Sequence, residues 1–489
     1  MLKTGAEHLE SLRDGRTIYV GNERVTDVTT HPAFRQGAQS IASIYDMKCA
    51  PENRDRMTFE EDGERYSGYF LRARNRADLE FRHGVHRAIA DKTYGMFGRS
   101  PDHVSSFVTG MSLNPGVFGK YASNLLAYYE HMRKTDSYAV YAVVPPQAAR
   151  NPEIYQKLNL PVPTLRVVRE DDDGVVISGT KMLATGAAYA NEIWIGNLIP
   201  LAPDQSKQSI TCVIPCNAPG LQLWSRKPLG REATSDFENP LSYRFDESDS
   251  MVLCDEVKVP WEKVFVHDDP LLARQIYVDT AGHTYGNHQS NVRFLSKLQL
   301  IVGLASKITK ASGADQVPAV RETLGKLAAW EATLSGVIMG QIQSAESWPT
   351  EGHVCFNRRY VYAALNWCTE NHSAIVDQLR ELCGGSVFQM PADISVMADP
   401  GLRNSFEQYW ATPQLAAVDR MKLYKLAWDL TGSEFAGRHQ QYEKFYAGAS
   451  FVVRNYTFMH TDWKFLEGVA DRLLSSYGVP DAYAETQAS

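Results

Sequence analysis

Hydrophobic and polar positions change their spacing twice along the chain. Residues 1–140 show mostly helical spacing, which begins at a capping-box pattern of Thr4 and Glu7. Residues 141–275 show short β patterns, and from residue 276 the helical period returns. This order predicts an α+β protein with three domains. They are an N-terminal mainly helical domain (1–140), a central β domain (141–275), and a C-terminal helical bundle with its tail (276–489).

The central segment carries several strand signals separated by turn residues. Residues 165–168 and 175–177 are apolar runs on either side of the turn sequence Asp172-Asp173-Gly174, which predicts a β-hairpin. Further short apolar runs follow at residues 193–195, 210–214 and 251–254, separated by Pro, Asn, Asp and Gly.

The C-terminal segment contains two long apolar stripes at helical spacing. Such stripes predict long helices that pack on several neighbours, so contacts between subunits are plausible. The first stripe is Phe294, Leu298, Ile301, Val302, Ala305 and Ile308, and the second is Leu324, Leu327, Trp330, Leu334, Val337 and Ile338.

Composition then excludes several classes of function. The 489 residues are 44% hydrophobic and 22% charged, and 50 basic against 57 acidic residues give a net charge of −7. An ordinary globular composition without a long basic run argues against disorder and against binding to nucleic acid or anionic membranes. The longest apolar run, residues 300–305, is far too short to span a bilayer.

Cysteine usage and the N-terminus indicate a reducing compartment. The cysteines are odd in number and dispersed, unlike a disulfide framework. The first eight residues become charged before the apolar core of a signal peptide could form. We therefore expect a soluble cytoplasmic protein. The cysteines are Cys49, Cys212, Cys216, Cys254, Cys355, Cys368 and Cys383.

Several chemical motifs are missing from the sequence. It has no Gly-rich dinucleotide fingerprint, no P-loop, no His-Glu-x-x-His motif, no paired Cys-x-x-Cys and no Gly-x-Ser-x-Gly elbow. Cys212 and Cys216 lie four apart in a predicted strand and are more simply a buried pair than metal ligands. We therefore expect no metal site and no nucleophile-based hydrolase.

Four segments combine glycine or proline with polar side chains at boundaries between textures. In the first, residues 98–103, Arg99 and His103 lie four apart and can converge if Pro101 starts a helix. The others are residues 141–150, residues 178–192 and residues 432–438. Taken singly, each has a structural explanation, such as a surface ion pair, a helix start, a core aromatic residue or a turn glycine.

Together with other stretches, these segments resemble one known family over nearly the whole chain. The family is the large oxygenase component of 4-hydroxyphenylacetate 3-monooxygenase, together with the related chlorophenol and nitrophenol monooxygenases. Besides the four segments, the resemblance rests on residues 4–21, Asn239-Pro240-Leu241-Ser242-Tyr243-Arg244-Phe245-Asp246-Glu247, Val259-Pro260-Trp261-Glu262-Lys263-Val264-Phe265 and Tyr442-Glu443-Lys444-Phe445-Tyr446.

The resemblance implies an acyl-CoA-dehydrogenase-like fold: an N-terminal helical domain, a central β-barrel or sandwich, and a C-terminal four-helix bundle that forms a homotetramer. It also implies the chemistry. FAD, reduced by a separate NAD(P)H-dependent reductase, reacts with O₂ to a C4a-hydroperoxide that hydroxylates a phenolic substrate ortho to its hydroxyl. The protein would exclude water and favour the electron-rich phenolate.

Site residues follow from the same resemblance by position. Arg99 would stabilise negative charge on the phenol oxygen or on the flavin peroxide. His103 and Tyr141 stand where the hydroxyphenylacetate enzymes have a Tyr and a His, so the two residue types are exchanged here. Both types donate and accept hydrogen bonds. The residues implied to bind FAD are Gln147, Arg150, Thr185, Gly432, Ser433 and Glu434.

Other functions remain open at this point. Elimination of a chloro or nitro group, or hydroxylation of a heteroaromatic biosynthetic intermediate, would use the same peroxide. A flavin and iron–sulfur dehydratase of the same fold class requires clustered cysteines, which the segment around Arg99 lacks. A non-enzymatic helical oligomer would bind no flavin at all.

Overall fold

A computed structural model describes residues 2–348 and 352–480. The side chains of Ala148, Arg150 and Pro152 also lie outside the described part. The observed order of elements is helical, then β, then helical, as the spacing of apolar residues predicts. The domain boundaries at residues 140 and 275 stay a prediction.

The N-terminal part is built from six helices. The predicted capping box is present, since the Thr4 hydroxyl accepts a hydrogen bond from the Glu7 N–H at 3.2 Å and the Glu7 carboxylate accepts from the Thr4 N–H at 2.7 Å. The helices are α1 (Gly5–Ser11), α2 (Arg35–Cys49), α3 (Arg54–Met57), α4 (Arg76–Lys92), α5 (Asp102–Met111) and α6 (Ala122–Thr135).

Two main sheets make up the central part. One sheet has six strands in the order β2-β1-β10-β11-β7-β6, and the other has four in the order β12-β9-β8-β5. These strands are β1 (Ile18–Val20), β2 (Glu23–Val25), β5 (Ala139–Ala142), β6 (Arg166–Asp171), β7 (Gly174–Thr185), β8 (Glu192–Ile195), β9 (Thr211–Pro215), β10 (Leu221–Ser225), β11 (Asp249–Pro260) and β12 (Val264–Val266). The N-terminal β1 pairs in parallel with β10, a long-range contact that the sequence pattern did not predict.

Two short hairpins and three short helices complete this part. The hairpins are β3 (Thr58–Glu61) with β4 (Glu64–Ser67), and β13 (Glu346–Ser347) with β14 (Val354–Cys355). The helices are α7 (Pro152–Lys157), α8 (Ser242–Phe245) and α9 (Leu272–Val278).

The predicted hairpin is present as β6 and β7. Gly174 begins β7 with φ +155°, and a Cβ placed there would lie 2.1 Å from the Val259 carbonyl oxygen. Only glycine therefore fits this turn, because neighbouring β11 approaches its backbone too closely for a side chain.

Eight helices form the C-terminal part. They are α10 (Gly282–Ser312), α11 (Pro318–Gln343), α12 (Arg358–Cys383), α13 (Pro400–Trp410), α14 (Ala417–Thr431), α15 (Glu434–Phe445), α16 (Ser450–Met459) and α17 (Trp463–Leu474). The two predicted apolar stripes lie on α10 and α11, where Phe294, Ile301, Leu327 and Leu334 are buried. No helix in the described ranges is both long and apolar enough to cross a membrane.

The helix α10 is central and unusually polar for its position. It packs against α4 and α5 of the N-terminal part and against α11, α12 and α14. Every residue from Gly282 to Leu298 is buried, including His283, Arg293 and Lys297. A buried helix that carries charged and hydrogen-bonding side chains must find partners for them on its neighbours.

Candidate active site

Arg99 lies in the turn before α5 and is almost fully buried, with 6% of its surface exposed. The Tyr138 hydroxyl donates to its carbonyl oxygen, and its N–H donates to the buried carboxylate of Glu247. The backbone is thus fixed on both sides. The guanidinium donates from Nη1 to His103 Nε2 at 2.8 Å and from Nη2 to the Tyr446 carbonyl oxygen at 3.0 Å. Within residues 2–348 and 352–480, no carboxylate forms an ion pair with this side chain.

His103 lies in the first turn of α5 and is 1% exposed. Burial and the charge of Arg99 lower its pKa well below the usual 6.5, so the ring is neutral near pH 7. Because a guanidinium only donates, His103 Nε2 must accept, and the ring proton is therefore on Nδ1. That Nδ1–H has no hydrogen-bond partner in the described part of the chain.

Tyr141 on β5 completes the predicted trio. Its ring centroid lies 4.8 Å from the Arg99 guanidinium carbon and 5.2 Å from the His103 ring. Phe107, one turn after His103, closes the group with ring centroids 5.2 Å from His103 and 5.8 Å from Tyr141. The structure thus brings together Arg99, His103 and Tyr141, although their separation in sequence alone does not require it.

The end of α15 covers Arg99 from the opposite side. The rings of Tyr442 and Tyr446 stack at 5.6 Å, with the Arg99 guanidinium carbon 5.5 and 6.0 Å from their centroids. A Cβ at Gly98 would lie 1.8 Å from the Tyr442 hydroxyl oxygen. Glycine at this position therefore allows the close approach of α15 to the Arg99 segment.

A buried ion-pair network holds α15 on α10. The carboxylate of Glu443 accepts from both terminal nitrogens of Arg293 and from Lys297 Nζ, and all three side chains are at most 1% exposed. Although burial raises the pKa of Glu443, the two cations lower it below its ordinary value. Burial lowers the pKa of Lys297 to about 8, against the attraction of Glu443. Two cations and one anion leave this network with excess positive charge near the site.

A second network joins α15 to the central sheet. Arg438 donates to both oxygens of Asp249 at 2.8 and 3.0 Å and to Glu247 at 3.0 Å. The Thr185 hydroxyl donates to Asp249 at 2.7 Å. Although burial raises the pKa of Asp249, Arg438 and Arg226 lower it strongly, so the carboxylate is charged. Thr185 is therefore connected to the Arg99 segment through three side chains.

The other residues implied to bind FAD lie further from Arg99. Gln147 is exposed after β5, and the side chain of Arg150 lies outside the described residues. Gly432 follows α14 with its backbone against the Trp428 indole, and Ser433 caps α15 by accepting from the Ala436 N–H at 3.1 Å. Glu434 pairs with Lys227 at 2.8 Å on the surface. Residues 432–434 thus start the helix that reaches Arg99, but they do not contact Arg99 themselves.

Sequence reasoning missed much of what surrounds Arg99. The segment 442–446 was noticed only as part of a resemblance, and the roles of Arg293, Glu247 and Arg438 were not foreseen. One signal was available, since Tyr442, Glu443 and Tyr446 place two aromatic rings and a charge on one turn of a helix. Their partners lie roughly 150 to 350 residues away in sequence, which no local pattern indicates.

The arrangement favours an aromatic ligand that carries an oxyanion. A buried guanidinium without a carboxylate partner is costly, and an anionic oxygen would offset that cost. The neutral donors of His103 and Tyr141 beside it suit hydrogen bonds to the same oxygen. The surrounding rings offer flat apolar contacts to an aromatic ring.

Comparison with protein families gives a match over nearly the whole chain. The family model described as 4-hydroxyphenylacetate 3-hydroxylase N terminal matches residues 4–266, and the one described as 4-hydroxyphenylacetate 3-hydroxylase C terminal matches residues 273–475. These two models divide the chain near the predicted start of the helical bundle.

Individual relatives are similar over most of their own length. The chain is 33% identical to a pyoverdin chromophore biosynthetic protein of Pseudomonas aeruginosa, over 93% of this chain and 90% of that protein. It is 32% identical to the oxygenase component of a 4-nitrophenol 2-monooxygenase of Rhodococcus sp, over 97% of this chain and 92% of that protein.

A solved structure shows the same fold. The crystal structure of the oxygenase component of 4-hydroxyphenylacetate 3-monooxygenase complexed with FAD and 4-hydroxyphenylacetate superposes with a TM-score of 0.91. The two chains are 28% identical, and the match covers 97% of this chain and 98% of the other. This similarity confirms the predicted acyl-CoA-dehydrogenase-like fold class.

Proposed function

Because the chain belongs to the 4-hydroxyphenylacetate 3-hydroxylase family, we propose that it is the oxygenase component of a two-component aromatic monooxygenase. The reaction is hydroxylation of a phenolic substrate ortho to its hydroxyl, with O₂ and reduced FAD as co-substrates. One oxygen atom enters the ring and the other leaves as water, while the reduced flavin is oxidised. The buried Arg99 side chain, which forms no ion pair with the described carboxylates, carries this proposal.

The residues present fit FAD on the chemistry of the wall between β7 and α15. Arg438 leaves one buried nitrogen, Nη1, without a partner among the described side chains and backbone groups. Thr185 is followed by Gly186, Ala187 and Ala188, whose small side chains leave little bulk beside a flat ligand. An unpaired donor beside such a surface suits the carbonyl oxygens and ring of a flavin.

In the proposed site, Thr185 and the start of α15 at residues 432–434 hold the flavin, with Gln147 and Arg150 on the loop after β5. The reduced flavin, once bound, supplies the electrons that activate O₂. All remaining roles belong to the chain's own side chains and to the shape of the site.

Arg99 binds the phenol oxygen and favours its ionised form, because the guanidinium charge has no anionic partner of its own on the described side chains. A phenolate has a more electron-rich ring than a phenol, which favours attack by an electrophilic oxygen. His103 donates from Nδ1 to the same oxygen, and the Tyr141 hydroxyl provides a further hydrogen bond. The near-complete burial of Arg99 and His103 keeps water away from the reacting atoms.

The assembly and compartment are also part of the proposal. We infer a homotetramer, a separate NAD(P)H-dependent flavin reductase that delivers FADH₂ by diffusion, and a cytoplasmic location. The free state of all seven cysteines, six of them buried, agrees with a reducing compartment. Elimination of a nitro or chloro group and hydroxylation of a heteroaromatic intermediate remain alternatives within the same chemistry.

A single-turnover experiment tests this function. The protein with one equivalent of anaerobically reduced FAD is mixed with oxygenated buffer and one phenol at a time, and products are separated by chromatography. The first two phenols are 4-nitrophenol and 4-hydroxyphenylacetate, because relatives act on or bind them by name. We expect one of the phenols tested to give its hydroxylated product in yield comparable to the flavin oxidised.

A contrary result is equally clear. Oxidation of the flavin at the rate of free flavin, with H₂O₂ as the product whichever phenol is present, would rule out a monooxygenase and favour the non-enzymatic oligomer. Release of nitrite or chloride with the organic product would instead select the elimination alternative.

A further inference from the structure

We propose that Arg438 is a positioning residue that holds the flavin side and the phenol side of the site in register. The inference rests on the proposed function and deepens it. Arg438 lies on α15, and it contacts neither Arg99 nor the other residues proposed above to bind the phenol through a printed hydrogen bond. Its role would therefore be exerted through the groups that it binds.

On the flavin side, Arg438 acts through Asp249. Nε and Nη2 of Arg438 donate to the two oxygens of this carboxylate at 3.0 and 2.8 Å, which is a fork-to-fork geometry. The Thr185 hydroxyl donates to one of the same oxygens at 2.7 Å. Thr185 and Asp249 are also direct partners in the ladder between β7 and β11. The position of Arg438 thus fixes the orientation of the Thr185 hydroxyl.

On the phenol side, Arg438 acts through Glu247. Nη2 donates to one carboxylate oxygen at 3.0 Å, and the other oxygen accepts from the Arg99 backbone N–H. Burial raises the pKa of Glu247, although Arg438 opposes this rise, so the guanidinium helps to keep the carboxylate ionised. The Arg438 guanidinium carbon also lies 4.5 Å from the ring of Tyr442, which faces Arg99 at 5.5 Å.

One guanidinium therefore ties together three parts of the chain. Arg99 comes from the N-terminal segment, Thr185 and both carboxylates from the central segment, and Arg438 from the bundle. The planar fork of arginine bonds both carboxylates at once, whereas the ammonium of lysine acts as a compact point charge.

Register between the two sides decides how oxygen is used. The activated oxygen must reach the ring carbon next to the phenol oxygen, and a misplacement of about 1 Å costs about 100-fold in rate. When transfer is slow, the reduced flavin is still oxidised and O₂ is lost as H₂O₂. Loss of register would thus lower product formed per flavin oxidised, while each ligand still binds on its own side.

Two variants test the proposal in the full-length protein. Arg438→Lys keeps the charge but cannot reproduce all three bonds. Glu247→Gln keeps an acceptor for the Arg99 N–H but loses the charge that pairs with Arg438. Arg133→Lys is the control, because Arg133 also bridges two carboxylates, Glu61 and Glu130, with 6% of its side chain exposed, in the N-terminal part.

Three quantities are measured for each variant: the dissociation constant of 4-nitrophenol without flavin, the dissociation constant of oxidised FAD, and product per FADH₂ oxidised. We expect both dissociation constants to stay within about twofold of wild type. Product per flavin should fall roughly tenfold or more in the site variants, with a matching rise in H₂O₂. The control should match wild type in all three.

Two outcomes would overturn the inference. Wild-type product yield in both site variants would show that register does not depend on Arg438. Parallel loss of both affinities and of yield would show a merely structural role. If Arg438→Lys does not fold, the Glu247→Gln variant decides alone. Failure of the wild-type protein to hydroxylate any phenol tested is a separate result, since that refutes the proposed function itself.

Discussion

Two buried polar clusters of this molecule look alike by burial and differ in how completely their groups are paired. In the N-terminal part, Lys48 and Asp136 are each 1% exposed and form an ion pair, with Ser67 and Tyr69 donating to Asp136 at 2.7 and 2.9 Å. None of these four side chains has an unpartnered polar atom in the part of the chain that the structure describes. We call this group the closed cluster.

The cluster around Arg99 is open by the same measure. Arg99 has no anionic partner on the described residues, and His103 Nδ1, Arg438 Nη1 and the hydroxyls of Tyr442 and Tyr446 lack partners there. Buried polar groups in native proteins are nearly always hydrogen-bonded, so several exceptions in one place need an explanation. The difference indicates that the closed cluster stabilises the fold, whereas the open cluster is completed by ligands.

The largest expected effect concerns the closed cluster. Asp136→Asn keeps a residue suited to the left-handed conformation of position 136, where φ is +50°, but leaves the Lys48 charge buried without an anion. We expect the free energy of unfolding to fall by about 3–5 kcal/mol, as when one partner of a buried ion pair is removed. Urea denaturation measures this change. Hydroxylation by the folded fraction should be unaffected, and a loss of activity without a loss of stability would contradict the comparison.

The open cluster should respond in the opposite way. Arg99→Gln removes a buried charge that lacks a carboxylate partner, so we expect little loss of stability or a small gain. Hydroxylation should fall roughly 100- to 1,000-fold, because a donor that stabilises developing charge is lost. The bound form of 4-nitrophenol provides a second measurement without flavin, since its yellow phenolate band should weaken in the variant. Wild-type phenolate absorbance in Arg99→Gln would contradict the role of Arg99.

The two clusters should also respond to acid at different pH values. Burial and Arg99 hold the pKa of His103 well below 6.5, so unfolding below pH 6.5 takes up a proton that the native ring does not bind. Stability therefore falls as the pH decreases below about 6.5, by up to about 1.4 kcal/mol per pH unit from this residue. Asp136 has a lowered pKa, because Lys48 outweighs burial, and its contribution is lost only as the pH falls below about 4.

Replacement of His103 isolates its part of this acid response. His103→Gln should lose less stability than wild type between about pH 6.5 and pH 5, as measured by urea denaturation at each pH. Equal slopes for the two proteins would show that His103 titrates normally in the folded state.

The smallest expected effect compares two tyrosine hydroxyls. Tyr141→Phe removes a hydroxyl that has no hydrogen bond within residues 2–348 and 352–480, whereas Tyr69→Phe removes one that donates to Asp136. We expect Tyr141→Phe to weaken 4-nitrophenol binding by about 0.5–1.5 kcal/mol with stability unchanged. Tyr69→Phe should lower stability by about 1–3 kcal/mol with binding unchanged. The reverse pattern would assign the two hydroxyls wrongly.

The sequence indicated the Arg99–His103 contact for a physical reason that is partly wrong. Spacing of four suggested two positions on one helix face, but Arg99 precedes α5, and its side chain folds back onto the first turn. The order of helical and β segments was predictable because periodicity is a local property. The pairing of β1 with β10, the placement of Tyr446 and the bridge by Arg438 were not, because each depends on tertiary contacts between distant segments.

The bond from Arg99 to the Tyr446 carbonyl oxygen also sets an order of events during synthesis, since it joins residues 347 positions apart. A growing chain that has not yet reached α15 lacks Arg438, Tyr442 and the carbonyl that Arg99 binds. Its N-terminal and central segments can acquire their own cores while the site is still incomplete. A newly made chain therefore cannot engage oxygen productively until almost all of it has left the ribosome, and fragments left by interrupted translation would lack the finished site.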